Sequence, residues 1–488
     1  MSKKFSLGFL ALFFVTQIGI TLKPVQAQTQ VPATTPKSIC PNQLGAVVDT
    51  VINRPQFKRM RWGILVQNLA SAQTLYSQDA QKYFIPASTN KLLITAAALQ
   101  QLGVDFRFRT SVYLSKEGDL HVVGRGDPTL TDVQLIALAK QLKQKGIQHV
   151  NRLIVDDGYV RGEVVPPSWQ WEDIESDYGA PVNSLILNQN VFSLKLLPRT
   201  VGKPLQVIWN DSKEAKHWQV INQSVTVEEN QPQNINITRD LQGSILHIQG
   251  QLAANSDPEI INLPVVAPSE YFLQHFRDAL AAERIIVTQA HVSTDRSQPE
   301  QELAAVQSSP LSELVAQMNL NSYNLFAEAL LRALAIKKIT DKNQTSADAG
   351  LEVMKATLTQ LGVDSTSYSL VDASGLSRKD LVSPEAFVQT LRGMAQSPVA
   401  FVYQASLPVA GRSGTLKSRF LNTPAEGIVT AKTGTMDGVV SLAGYVNSPQ
   451  YQPLVFSIIV NQIDQPVRVV RQAVDEIVVS LAKLQNCP

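Results

Sequence analysis

Three short strings, in a fixed order, constrain this chain more than anything else in it: Ser88-Thr89-Asn90-Lys91, then Ser322-Tyr323-Asn324, then Lys432-Thr433-Gly434. Ser88 and Lys91 are three apart at the start of a strongly apolar helical pattern, so both side chains fall on one helix face. The free N–H groups at that helix N-terminus suit an oxyanion at Ser88. A serine becomes a nucleophile when a base takes its proton. A lysine can be that base where burial and nearby positive charge lower its pKa, and Leu92-Leu93-Ile94 and Ala96-Ala97-Ala98 would embed Lys91. A fold carrying these strings must bring three distant segments to one place, and the chemistry expected there is acyl transfer.

Each string alone has an ordinary reading. A chain this long holds about one or two S-x-x-K by chance. Ser480-Leu481-Ala482-Lys483 is a second copy, late in a C-terminal helix and without a cap. Ser322 and Asn324 lie where a helical pattern breaks, and they suit capping of the helix that continues through Phe326 and Leu330. Capping is the favoured reading of this string alone; the other is a hydroxyl that relays a proton to a leaving amine and an amide that orients the lysine and a substrate carbonyl. K-T-G is rarer, with about a tenth of an occurrence expected per chain. Lys432 offers a fixed cation, and Thr433 and Thr435 offer hydroxyls, for a terminal carboxylate. Gly434 lets a substrate backbone approach closely. The Val-Thr-Ala run before the triplet reads as an edge strand, on which an extended peptide can add.

Other chemistries find little support. All six histidines (His121, His149, His217, His247, His275 and His291) fall between the first two strings, and none has metal-ligand spacing. This disfavours a zinc site and a Ser-His-Asp triad. There is no P-loop. Gly124-Arg125-Gly126-Asp127-Pro128 ends in a turn residue where a dinucleotide fingerprint needs a helix. No cofactor or metal is expected. A formal net charge of +2 gives no sign of a nucleic-acid partner and allows at most peripheral membrane association.

Residues 1–27 read as a secretory signal peptide, with Lys3 and Lys4 ahead of an apolar stretch and Val25-Gln26-Ala27 before the cleavage point. The expected location is periplasmic or secreted. Export gives meaning to the two cysteines: Cys40 and Cys487, near opposite ends of the mature chain, are expected to pair in an oxidising compartment.

Residues 28–39 form a Thr-, Pro- and Gln-rich linker. A strand over 62–69 and a hairpin partner over 74–84 precede a helix over 92–102. Roughly 230 residues then separate Ser88 from Ser322, room for further domains. Within them, strands and helices over 107–156 and 271–288 surround a run of short β segments over 196–263. Helices over 311–335, 347–361 and 383–394 follow, then three strands over 427–461 joined by short turns, then a helix over 467–484. Strands at both ends with helices between them describe an α/β (α+β) sandwich on an antiparallel sheet. The expected division is 40–105 with 300–488 as one domain, 106–198 with 258–299 as an insertion, and 199–257 as a β-rich domain nested inside it.

The three strings, with the first two widely separated, resemble the low-molecular-mass class C penicillin-binding proteins, the D-alanyl-D-alanine carboxypeptidase/endopeptidase family. The likeness spans nearly the whole mature chain and includes Gly126-Asp127-Pro128-Thr129-Leu130, Ser322 through Glu328, Asp372-Ala373-Ser374-Gly375-Leu376-Ser377-Arg378, and Leu407-Pro408-Val409-Ala410-Gly411. The resemblance implies a penicillin-binding/β-lactamase-like fold. It implies Ser88 as the acylated nucleophile, Lys91 as its base, and Ser322 and Asn324 as proton relay and amide contact. Lys432, Thr433 and Thr435 would bind the terminal carboxylate, and the N–H groups of Ser88 and Thr435 would form the oxyanion hole. Asp156 and Arg378 match positions that help seat a stem peptide in relatives, whereas Val160 and Asp437 depart from the residues often found there. The partners implied are peptidoglycan stem peptides and β-lactams as covalent inhibitors. A β-lactamase shares the motifs, and a non-catalytic wall-binding or penicillin-sensing protein is the reading from a different class. The long insertion disfavours the first, and intact Ser88, Lys91 and Lys432 the second.

Overall fold

The computed structural model describes residues 38–487 apart from 213, 241–244, 296–300 and 337–342. The signal peptide read over 1–27 and most of the linker lie outside the described residues.

The central layer is a five-stranded antiparallel sheet, ordered Val429–Met436, Val439–Val446, Leu454–Asn461, Arg61–Asn68, Thr74–Gln78. Two of these strands, Val439–Val446 and Leu454–Asn461, are buried at every residue. They read as mainly apolar runs, broken by Ser441, Ser457 and Asn461, because helices cover both faces. Successive side chains point to opposite faces. Thus Val455 and Ile459 pack with helices Lys91–Leu102, Asn324–Ala335 and Pro384–Ala395, while Leu454, Phe456, Ile458 and Val460 pack with helices Leu44–Ile52 and Val467–Ala482. The K-T-G strand lies at the sheet edge, as its sequence suggested.

Two further cores lie between the first two strings. A mixed five-stranded sheet runs Ile286–Ser293, His149–Asp156, Leu120–Val123, Arg109–Leu114, Gln301–Gln307. Its apolar residues pack with helices Asp132–Gln144 and Pro268–Ala282. The strand Gln301–Gln307 belongs to this sheet because it pairs with Arg109–Leu114, although the division drawn from the sequence placed it beyond the insertion. A smaller β cluster forms around Leu205, Trp218, Leu246 and Ile248. It also draws on Phe192, Leu194, Leu196 and Leu263, so its core extends past 199–257 on both sides. The reason is pairing: Val191–Leu197 lies between Glu259–Pro264 and Gln206–Trp209.

Cys40 and Cys487 are disulfide-bonded, with Cα atoms 5.7 Å apart. The neighbouring backbone reinforces the junction: Ile39 N donates to Lys483 O (3.0 Å) and Gln485 N to Ile39 O (3.1 Å). The bond joins residues 447 apart in the chain, so chain entropy sets a ceiling of roughly 5–6 kcal/mol on its contribution. The Cys487→Ser variant should therefore unfold at distinctly lower denaturant concentration than the wild type. Two thiols titrating in unreduced, denatured wild-type protein would show that the bond is not made.

Candidate active site

Ser88 lies in a tight turn, Ala87–Asn90, which leads directly into the helix Lys91–Leu102. The sheet holds that turn in place. Ser441 Oγ donates to Pro86 O (2.6 Å), and Thr89 Oγ1 bonds both Pro86 O (2.7 Å) and Ser441 Oγ (3.2 Å). Gly434 stands opposite Ser441 in the register. A Cβ at Gly434 would lie 2.1 Å from Ser441 Oγ and 2.7 Å from Pro86 O. This adds a structural reason to the role expected of Gly434 from the sequence. Gly434 is demanded by the close approach of the edge strand to the Ser88 turn inside the protein, before any substrate arrives.

Lys91 is fully buried. Its Nζ lies 2.9 Å from Ser88 Oγ, 2.6 Å from Asn324 Oδ1 and 2.7 Å from Ser374 O. Burial pushes its pKa down to about 7, against the pull of Asp372, Glu328 and Asp380. The lowering thus comes from desolvation, with carboxylates opposing it. The three partners suit both protonation states. A neutral amine gives its two N–H groups to the two carbonyl oxygens and turns its lone pair to Ser88, while an ammonium donates to all three.

The string around Ser374 was legible in the sequence, but its purpose was not. Glu328 accepts the N–H groups of Ala373 and Ser374 (2.9 Å each) and pairs with buried Arg332 (3.0 Å). Asp372 accepts from Gly375 N (2.7 Å), Ser377 N (2.8 Å) and Trp169 Nε1 (2.9 Å). These carboxylates shape the loop that presents Ser374 O to Lys91.

Ser322 ends the helix Leu311–Asn321 in the left-handed region (φ 61, ψ 33), and Asn324 begins the helix Asn324–Ala335. Neither side chain caps a helix. Asn324 faces Lys91, and Ser322 Oγ accepts from Lys432 Nζ at 2.9 Å. A non-glycine residue in this conformation costs on the order of 1–3 kcal/mol, a strain typical of functional positions. Lys432 is fully buried, and its Nζ also donates to Thr433 O (2.8 Å). Burial, and then the Lys91 charge, push it well below its ordinary value. A direct contact between Lys432 and a substrate carboxylate is therefore not what this packing offers, because its ammonium lies behind Ser322 and out of solvent.

A cavity of about 760 Å³ opens over Ser88, Ser322, Asn324 and Thr435. Arg378 lines it, donating to Gln170 Oε1 (3.0 Å) and Asp437 O (2.6 Å). Asp156 does not line it. That side chain is buried at the end of its strand, where Oδ1 accepts from Gly158 N (2.8 Å). Arg378 is ion-paired with Asp437 (3.7 Å), and Glu172, Asp173 and Tyr178 also line the cavity. Burial pushes the Asp173 carboxyl up while Arg378 pulls it down. The one sequence signal for these residues was the Trp-rich, acidic run Trp169-Gln170-Trp171-Glu172-Asp173, which carries no motif of its own. Among the described residues no group of three or more His, Cys, Asp and Glu could hold a metal ion, and no helix is long and apolar enough to cross a membrane.

Fold and cluster together define a class: the penicillin-interacting serine enzymes, in which a lysine takes the place that histidine has in other serine hydrolases. Within it, this chain belongs to the D-Ala-D-Ala carboxypeptidase 3 (S13) family, whose model matches residues 44–484. It is 33% identical over 460 residues to a D-alanyl-D-alanine carboxypeptidase of Actinomadura sp. (strain R39), covering 89% of this chain and 84% of that protein. It is 29% identical to penicillin-sensitive carboxypeptidase A of Dictyostelium discoideum, covering 87% of each. Its fold is similar to that of penicillin binding protein 4 (dacB) from Haemophilus influenzae, with a TM-score of 0.77 at 23% identity, covering 89% of this chain and 98% of that one.

Proposed function

We propose that this protein is an exported serine DD-carboxypeptidase that cleaves the D-alanyl-D-alanine bond of peptidoglycan stem peptides through an acyl-enzyme on Ser88. The observation that carries the reading is the 2.9 Å contact between Ser88 Oγ and a buried Lys91 whose pKa lies near 7. Neutral Lys91 takes the Ser88 proton as Oγ attacks the penultimate D-alanyl carbonyl. The backbone N–H groups of Ser88 and Thr435 face the developing oxyanion. Ser322, bridged to Lys432, passes a proton to the departing D-alanine nitrogen. Water then releases the acyl group and restores Ser88. Asn324 orients both Lys91 and the substrate amide, and Thr433 and Thr435 receive the terminal carboxylate. The acyl side of the stem peptide runs toward Arg378 and Asp173.

The names of the relatives support both the substrate and sensitivity to β-lactams, which present a strained amide and a carboxylate to the same groups. The leader-like residues 1–27 support a periplasmic or secreted location. Separate apolar cores support a peptidase domain interrupted by an insertion with a β-rich domain nested in it.

Labelled penicillin tests the reading. A stable, stoichiometric adduct with slow release, together with D-alanine release from a D-Ala-D-Ala peptide, is the expected result. Rapid turnover of the label would make the protein a β-lactamase, and no adduct would make it a binding protein.

A further inference from the structure

On the Thr433 and Thr435 side of Ser88 lies a second cavity, of about 350 Å³, with Thr415, Arg419 and Arg471 in its wall. Its surroundings are cationic. Arg419 is committed to Asp475, with Nε 3.2 and 3.3 Å from the two carboxylate oxygens. Lys432 lies behind the wall with its Nζ held by Ser322 Oγ and Thr433 O. Thr433 Oγ1 donates to Thr415 Oγ1 (2.8 Å). Arg471 is different. It projects from the first turns of the helix Val467–Ala482, is exposed, and makes no ion pair among the described residues. Its Nη2 donates to Thr435 Oγ1 at 3.1 Å. Because Thr435 Oγ1 accepts there, its own proton is left to point into the cavity.

We propose that Arg471 is the cation that seats the substrate's terminal carboxylate, acting with the Thr435 hydroxyl it orients. The proposal rests on the DD-carboxypeptidase reading above. An accessible guanidinium beside a hydroxyl donor, in a cavity whose neighbouring carboxylate Asp475 is ion-paired with Arg419, is a site for a planar anion. The cavity shares Ser88, Ser322 and Thr435 with the larger one and is not lined by Arg378, which puts that anion on the leaving-group side of Ser88. The closing helix thereby gains a role in substrate choice, and Arg471 is a specificity residue outside all three strings.

The test compares hydrolysis of a D-Ala-D-Ala peptide with that of its C-terminal amide, in the wild type, Arg471→Gln and Arg471→Lys. In Arg471→Gln the preference for the free acid should shrink by about tenfold to a hundredfold, the range of one charged hydrogen-bonded contact. The loss should fall mainly on KM, and Arg471→Lys should recover part of it. Equal losses on acid and amide, or an unchanged preference, would overturn the assignment. Failure of the underlying reading is distinguishable, because then the wild type would cleave the D-alanyl-D-alanine bond of neither peptide.

Discussion

Ser88→Ala should lose penicillin labelling altogether and release D-alanine at least roughly a thousandfold more slowly, the scale of loss when a nucleophile is removed from a covalent mechanism. The fold should survive. Among the described residues Ser88 Oγ has one side-chain hydrogen-bond partner, Lys91, while the turn around it is held by Thr89, Pro86 and Ser441. Alanine deletes only the hydroxyl, and Lys91 keeps Asn324 Oδ1 and Ser374 O. An intact protein by circular dichroism that still bound labelled penicillin covalently would place the nucleophile elsewhere.

Lys91→Met should lower the acylation rate by about 10²–10⁴-fold or more, since it removes the base while keeping most of the side-chain volume. In the wild type the acylation rate should rise with pH through about 7 as Lys91 loses its proton. The same group leaves a mark on stability. Its folded pKa, about 7, lies below the unfolded value of 10.5. Between those values the unfolded chain binds the extra proton, so Lys91 makes wild-type stability rise with pH across that window, and the full penalty of burying the charge applies below it. At about 1.4 kcal/mol per pH unit, the rise is on the order of 5 kcal/mol. The methionine variant loses that slope. It also leaves Asn324 Oδ1 and Ser374 O without their donor, a cost of about 1–3 kcal/mol each that does not vary with pH. The slope is therefore the diagnostic quantity. Parallel stability curves for the two proteins between pH 7 and 10.5 would show that Lys91 does not carry a depressed pKa.

The chain's local patterns decide a great deal. Period-3.6 and period-2 spacing, with Gly and Pro as punctuation, marks nearly every helix and strand of the central domain. The break at Ser322 and the edge position of the K-T-G strand were readable because helix interruption and β alternation are local properties. Ser88, Lys91 and Lys432 stand out as candidates by residue type at short spacing, whereas Ser322 and Asn324 read by themselves as helix caps and stand out only through the family resemblance. The pairing of Cys40 with Cys487 was to be expected from an even cysteine count together with a leader-like N-terminal stretch.

Other features exist only in three dimensions. Asp156 was matched to a substrate-binding position by its place in the sequence, yet strand His149–Asp156 ends with that carboxylate turned back onto Gly158 N. Asp173 reaches the cavity instead, on a loop tied to the central domain by the Trp169–Asp372 bond. Glu328, Asp372 and Ser374 support Lys91 from segments more than 200 residues away in the chain, without a shared spacing to reveal them. Gly434 and Ser441 meet the Ser88 turn through sheet register, and Arg471 meets Thr435 through the packing of the last helix on the sheet. Lys432 shows the division within one residue. Its type and triplet were plain in the sequence, while burial decided whether its ammonium faces substrate or Ser322. Residue types and short spacings mark the reacting groups, because nucleophile, base and anion receptor are properties of side chains. Which carboxylate reaches the cavity, and which cation touches solvent, follows from how distant segments exclude water from one another, and that is settled only when the chain packs.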